Sequence, residues 1–212
     1  MINRANYWRI RLEIIPVLAV VLFISSCALP DKPVRAQAFD FGPAPVAASV
    51  QPGVAMLGTI VLPEIEAAAA LDGNAMVYRL AFSNPQVLNP YATARWSMAP
   101  AQLLRQRLRD QLGQARVVLS STEAAPAAAW LVRTELDEFS QVFESASQSQ
   151  GQIRLRATVT QSSIQGEKLL GQRSFVVQRP ATGADAAGGA KALSLAADAL
   201  AQELDQWLRQ LR

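Results

Sequence analysis

Histidine is absent from the 212 residues of this chain, and cysteine occurs once. The first absence removes the commonest general base, the Ser-His and Cys-His nucleophile pairs and the commonest metal ligand together. The second leaves no partner for an internal disulfide, so packing must hold the fold. Charged residues are 17 % of the chain, and no block of Lys and Arg runs far enough to follow a phosphate backbone, which argues against nucleic acid. No glycine-rich loop ending in Lys-Ser or Lys-Thr is present, which argues against nucleotide hydrolysis by this chain. Crossing a bilayer takes about 20 apolar residues, and no run here is that long. An enzyme is the least expected class, and no cofactor or metal is implied.

What is there begins at the amino terminus. Arg4, Arg9 and Arg11 precede residues 14–24 (IIPVLAVVLFI), and two serines separate that apolar run from Cys27. A positive start, a short apolar run and small residues before a processing point make a secretory signal. Glu13 makes backward extension of the run into a bilayer costly. Ile24-Ser25-Ser26-Cys27 resembles the bacterial lipobox, which implies diacylglyceryl transfer to the thiol, cleavage before Cys27 and N-acylation of the new terminus. The competing readings are an incidental cysteine ending an uncleaved anchor helix, or half of an intermolecular disulfide. One acyl chain holds a protein at a membrane marginally and two or more hold it stably, so a lipid-modified Cys27 needs no spanning helix. Ala28 stands where an inner-membrane retention signal typically has Asp, which favours the outer membrane. The net charge of +3 belongs largely to the leader, whose loss leaves the chain nearly neutral.

Residues 1–26 therefore read as a signal peptide, 27–52 as a Pro/Ala-rich tether and 53–212 as one domain. Phe39-Asp40-Phe41-Gly42-Pro43 interrupts the tether as a short edge strand or a turn. Strands are expected over 54–62, 76–80 and 91–96, with Ser83-Asn84-Pro85 and Asn89-Pro90 as breaks. A helical turn at 67–70 leads into a reversal at 71–74. Pro100 opens a helix over 101–112, closed by Gly113, in which Leu104, Leu108 and Leu112 recur every fourth residue. A short strand at 117–119 follows. Residues 130–143 and 153–159 alternate apolar and polar, and with 169–178 they make an antiparallel meander with one wet face. Residues 181–189, with Gly188-Gly189, read as a linker. The last helix, 190–211, carries Leu193, Ala197, Leu200, Leu204, Trp207 and Leu211 as a stripe expected to pack on the domain's own sheet. The fold class predicted is α/β: a single domain with a mixed, mainly antiparallel sheet and two principal helices packed on one face.

Met76-Val77-Tyr78-Arg79, then Tyr91 and Arg95-Trp96, then Pro100 with its leucine-spaced helix, resemble the signature of the ABC-type transport auxiliary lipoproteins. These are the Pqi-type outer-membrane lipoproteins and their relatives encoded beside MCE lipid-transport systems. The Phe-Asp-Phe-Gly-Pro element, the meander and the terminal helix follow the lipobox in the same order. Phe41 stands where that family has leucine, and Ser97-Met98 where an acidic residue commonly follows the tryptophan. The resemblance implies a non-catalytic lipoprotein on the periplasmic face of the outer membrane. It would dock the distal end of an MCE-domain protein while phospholipid or another hydrophobic compound moves between the membranes. Its implied partners are the membrane through the lipid, the MCE-domain protein, phospholipid and, for a homo-oligomer, further copies of itself. A structural lipoprotein assisting outer-membrane or lipopolysaccharide assembly is the rival reading, and a scavenger holding lipid in a cavity is a third.

Individual residues carry competing roles. Tyr78, Tyr91, Arg95 and Trp96 are the candidates for partner or lipid contact, against the plainer reading of the aromatics as core of a strand pair. Arg105 and Arg109 share a helix face with Arg107 opposite, and a solvated surface is expected for them. Arg154 and Arg156 opposite Arg133, Glu135 and Asp137 read as a cross-strand charge ladder. Glu64 and Glu66 are two carboxylates without the setting that glycoside chemistry needs. Only Cys27 has a definite chemistry.

Overall fold

A computed structural model describes residues 35–43, 57–163 and 166–211. Cys27, the leader and most of the expected tether lie outside them. Nine strands are described: β1 (Gln37–Phe39), β2 (Thr59–Val61), β3 (Glu66–Ala67), β4 (Ala75–Leu80), β5 (Asn84–Trp96), β6 (Val117–Leu119), β7 (Trp130–Phe143), β8 (Ser149–Ser163) and β9 (Gly166–Pro180). The helices are α1 (Pro100–Leu112) and α2 (Ala186–Leu208), and the turn expected near 67–70 is a 3₁₀ turn at Ala69–Leu71. The chain is a single α/β domain with one mixed sheet, as predicted.

Strand β7 is the axis of that sheet. One edge pairs antiparallel with β8 along its length, and β8 pairs in turn with β9. The other edge takes three short parallel partners: β2 at its start, β3 in the middle and β4 at its end. Strands β5 and β1 then extend the sheet beyond β4, and β6 extends it beyond β2. The alternation in β8 has the predicted consequence: Ile153, Leu155, Ala157 and Val159 are all 0 % exposed, whereas Arg154 and Arg156 face water. Helix α2 lies across this inward face, against β7, β8 and β9 and beside α1. Its stripe closes the core, with Leu193, Ala197, Leu200 and Leu204 at 0 % exposure. Leu104, Leu108 and Leu112 of α1 are equally buried, each contributing about 2 kcal/mol by leaving water.

Three expectations are corrected. The supposed linker at 181–189 contains the start of α2: Asp185 caps the helix, accepting the Gly188 N–H at 2.7 Å, and Gly188 and Gly189 are buried in its first turn. The glycines serve close approach there, because a Cβ on Gly189 would run into the Gln141 side chain. The breaks at Pro85 and Pro90 do not end a strand, since β5 runs through both with register shifts against β4. Strand β1 covers only residues 94–96 of the far edge of β5, so the missing proline donors are tolerated along the rest. The element at 39–43 is the expected edge strand and turn, with β1 paired to β5 and Asp40 closing the bend. Third, the arginines of α1 are not all solvated. Arg107 is 6 % exposed, and Arg105 is half-buried, donating to the Leu62 and Pro63 carbonyls and pairing with Glu64 at 3.3 Å; Arg109 alone meets water. The charge ladder is partly as expected, with Arg156 on Glu135 at 3.4 Å. Arg133 pairs instead with Glu167 of β9, and a bulge between Leu136 and Glu138 brings Glu138 rather than Asp137 to a partner, Arg79.

Candidate functional site

The structure splits the aromatic candidates into two clusters at different levels of β5. At its carboxyl end Trp96 is 0 % exposed, a core residue rather than a contact surface. Strand β1 lies parallel beside it, with Gln37 opposite Ala94 and Phe39 opposite Trp96, and the Ser97 N–H donates to the Phe39 carbonyl at 2.7 Å. The chain then bends: Asp40 Oδ1 accepts the Gly42 N–H at 2.7 Å, and Gly42 adopts φ +68°, a left-handed conformation that glycine takes without a Cβ penalty. This bend carries the Phe41 ring onto the core, 5.9 Å edge-on from Trp96 and 6.0 Å stacked on Phe139.

Polar groups lock Phe41 in place. The Arg107 guanidinium lies 5.7 Å from the centre of its ring, and Arg107 Nη2 donates to the Phe41 carbonyl at 3.1 Å. Ser194 Oγ of α2 donates to the same oxygen at 3.0 Å. Arg107 Nη1 pairs with Asp198 of α2 at 2.9 Å, so one buried cation joins β1, α1 and α2. Burial raises the Asp198 carboxyl above its ordinary value, and Arg107 opposes that rise without cancelling it. The lock was missed in the sequence because its parts are far apart along the chain. The one local signal was an aromatic pair in a Pro/Ala-rich stretch.

The second cluster sits further toward the start of β5. Tyr78 and Tyr91 are half-buried neighbours with ring centres 4.7 Å apart, and Tyr78 meets Phe143 edge-on at 5.8 Å. Tyr91 Oη donates to Gln141 Oε1 at 2.8 Å, and Gln141 Nε2 donates to Ser149 Oγ at 2.8 Å. Burial, with Tyr78 and Asp185 nearby, pushes the Tyr91 phenol up to about 12. Arg95 is exposed beside Ala38 and Ala75 and belongs to neither cluster. Two open grooves flank the sheet. One, about 380 Å³, is lined by Phe39, Ala187 and Lys191 between β1 and α2; the other, about 390 Å³, is lined by Val61, Pro126, Leu131 and Arg133. Among the described residues no group of three or more acidic or cysteine side chains is placed to hold a metal, and no helix is long and apolar enough to cross a membrane.

Comparison with known proteins follows the folded body. The model of the ABC-type transport auxiliary lipoprotein component family matches residues 39–205, from the end of β1 nearly to the end of α2. A crystal structure of a Xanthomonas campestris protein, described under the family DUF330, is similar in fold: 20 % identity, 82 % of this chain and 91 % of that one covered, TM-score 0.62. A second solved structure, of an uncharacterized protein, shares 13 % identity over 73 % of this chain and 94 % of its own, with TM-score 0.57. At such identities these likenesses speak to the fold alone. No curated protein matches the sequence. With the family's pattern running through both aromatic clusters and both helices, the chain belongs to the ABC-type transport auxiliary lipoprotein component family.

Proposed function

We propose that this chain is the non-catalytic, lipid-anchored subunit of an MCE/ABC-type intermembrane transport system. It sits on the periplasmic face of the outer membrane and docks the periplasmic MCE component there, so that phospholipid or another hydrophobic compound can pass. The observation that carries this reading is the family match over residues 39–205 directly behind the lipobox at Cys27. Residues 1–26 are removed, Cys27 takes the acyl chains, and Ala28 leaves the lipoprotein free to be sorted outward. The body supplies binding and position, and an ATPase and permease elsewhere supply the work.

The test is capture in intact cells. A photo-crosslinking residue at Arg95, exposed and one step from the buried Trp96, is expected to trap the MCE-domain protein. Trapping an outer-membrane barrel instead, with nothing from an inner-membrane transport system, would overturn the docking role in favour of envelope assembly. In parallel, labelled palmitate is expected to enter the native chain and to be lost from Cys27→Ala.

A further inference from the structure

We infer that the end of the sheet formed by the β4–β5 hairpin rests on the bilayer that receives the Cys27 lipid, with Phe82, Pro85 and Val87 as a second, non-covalent membrane contact. This rests on the lipid reading of Cys27 and adds to it an orientation for the whole domain.

The first support is composition at that end. From Ala81 to Ala94 the chain has no charged residue, and from Ser145 to Ile153, which includes the adjoining β7–β8 turn, it again has none. Turns usually hold polar or small residues, yet Phe82 sits in this one at 53 % exposure with Val87 at 43 % nearby. The tip is also braced. Arg79 Nη1 donates to the Pro85 carbonyl at 3.0 Å, Asn84 Oδ1 accepts the Gln86 N–H at 3.1 Å, and the Ala81 N–H donates to the Phe143 carbonyl at 2.9 Å. The other terminal nitrogen of the Arg79 guanidinium, Nη2, pairs with Glu138 at 3.1 Å, so the Arg79 charge beside the tip is matched. Glu144 is the acidic group beside the neighbouring turn, where it accepts from Gln150 Nε2, in a position suited to the headgroup layer.

The second support is direction and reach. Because β1 is parallel to β5, its first residue, Gln37, lies on the side of β1 that faces along β5 toward the hairpin. Fully extended, residues 27–37 span at most about 35 Å. Leu80 pairs with Asn84 and Ala75 with Arg95, so from the hairpin to the level of Gln37 β5 spans only about the length of β4, roughly 17 Å. A lipid on Cys27 can therefore reach the plane of the Phe82 tip, and a bilayer there meets an end of the sheet whose turns are uncharged and whose bordering charges are Glu144 and Arg179. The opposite end, with Arg133, Glu167 and Lys168, lies about 40 Å away along β7 and stays in water. Aromatic and apolar residues at an interface reinforce an acyl anchor in the way that two membrane signals outperform one.

The experiment places one added tryptophan at either end of the full chain as processed by a bacterial cell: Phe82→Trp or Lys168→Trp. Each protein is reconstituted into vesicles of phosphatidylethanolamine and phosphatidylglycerol, with or without brominated acyl chains, which quench buried indoles. The expected result is a loss of the added emission for Phe82→Trp and none for Lys168→Trp. A protein that floats with the vesicles while Trp emission at both positions is untouched overturns the inference and leaves the lipid anchor standing. A protein that fails to float, with a free Cys27 thiol, overturns the native anchor. That thiol is then coupled to a maleimide lipid in the same vesicles, and quenching or its absence at position 82 decides the orientation by itself.

Discussion

The meander of β7, β8 and β9 under α2 and the segment from β1 to β5 are halves of one sheet built by different rules. In the meander neighbouring strands follow each other in sequence, pair antiparallel over long registers and, through the middle of β8, alternate inside and outside. From β1 to β5 the pairings are short and mostly parallel, one strand carries two prolines, and the first strand is added at the far edge by a stretch of tether. The meander is held by its repeating pattern. The other half is held by a few long-range contacts, of which Phe41 under Arg107 is the central one. A regular region should therefore fail as a whole when its close approach is spoiled, whereas the irregular one should fail locally.

The largest effect is expected where the meander meets α2. A Cβ on Gly151 would stand 2.6 Å from the Leu193 backbone nitrogen, and backbone cannot move aside cheaply. Gly151→Ala should cost about 3 kcal/mol, read as a single cooperative shift of the denaturant midpoint. Next comes the clasp: Phe41→Ala should cost about 2 kcal/mol, below the usual loss for a fully buried phenylalanine. Hydrogen exchange would speed up at Gln37–Phe39 and Ser97 while β7 and β8 stay protected; loss of protection throughout would erase the contrast between the halves. The smallest is Tyr91→Phe, about 1 kcal/mol, from the lost hydrogen bond to Gln141. Here pH sharpens the picture. The folded phenol holds its proton up to about 12 against an ordinary value of 10, so its contribution is complete below pH 10 and is lost as pH rises through 12. Absorbance titration at alkaline pH should show one tyrosine ionising late, and Tyr91→Phe should remove that step.

The readable parts of the chain were those in which a residue's fate depends on neighbours one to four positions away. Leu104, Leu108 and Leu112 announced their inward face, and the β8 alternation announced its own. The parts misread were those in which a local preference lost to a distant partner. Gly188 and Gly189 look like a linker until the Gly183 backbone and the Gln141 side chain, respectively, occupy the space a Cβ would need. Arg107 looks like surface until Asp198 and the Phe41 carbonyl meet it inside. Arg95 and Trp96, adjacent in the motif, point to opposite sides of β5, one to water and one to the core, as successive strand residues must. The candidate site was thus found as a stretch of chain but not as an arrangement.

By itself the sequence determined the class of protein and its regular elements: strands of period two and helices with an apolar stripe. These follow from spacing alone, because backbone geometry turns spacing into a face. Only the tertiary structure decided that residues 37–43 are stitched to the body, with β1 parallel to β5 and Phe41 pinned by a buried cation. That choice depends on pairing between segments remote in the chain, where burial and hydrogen bonding of the assembled core outweigh any local preference.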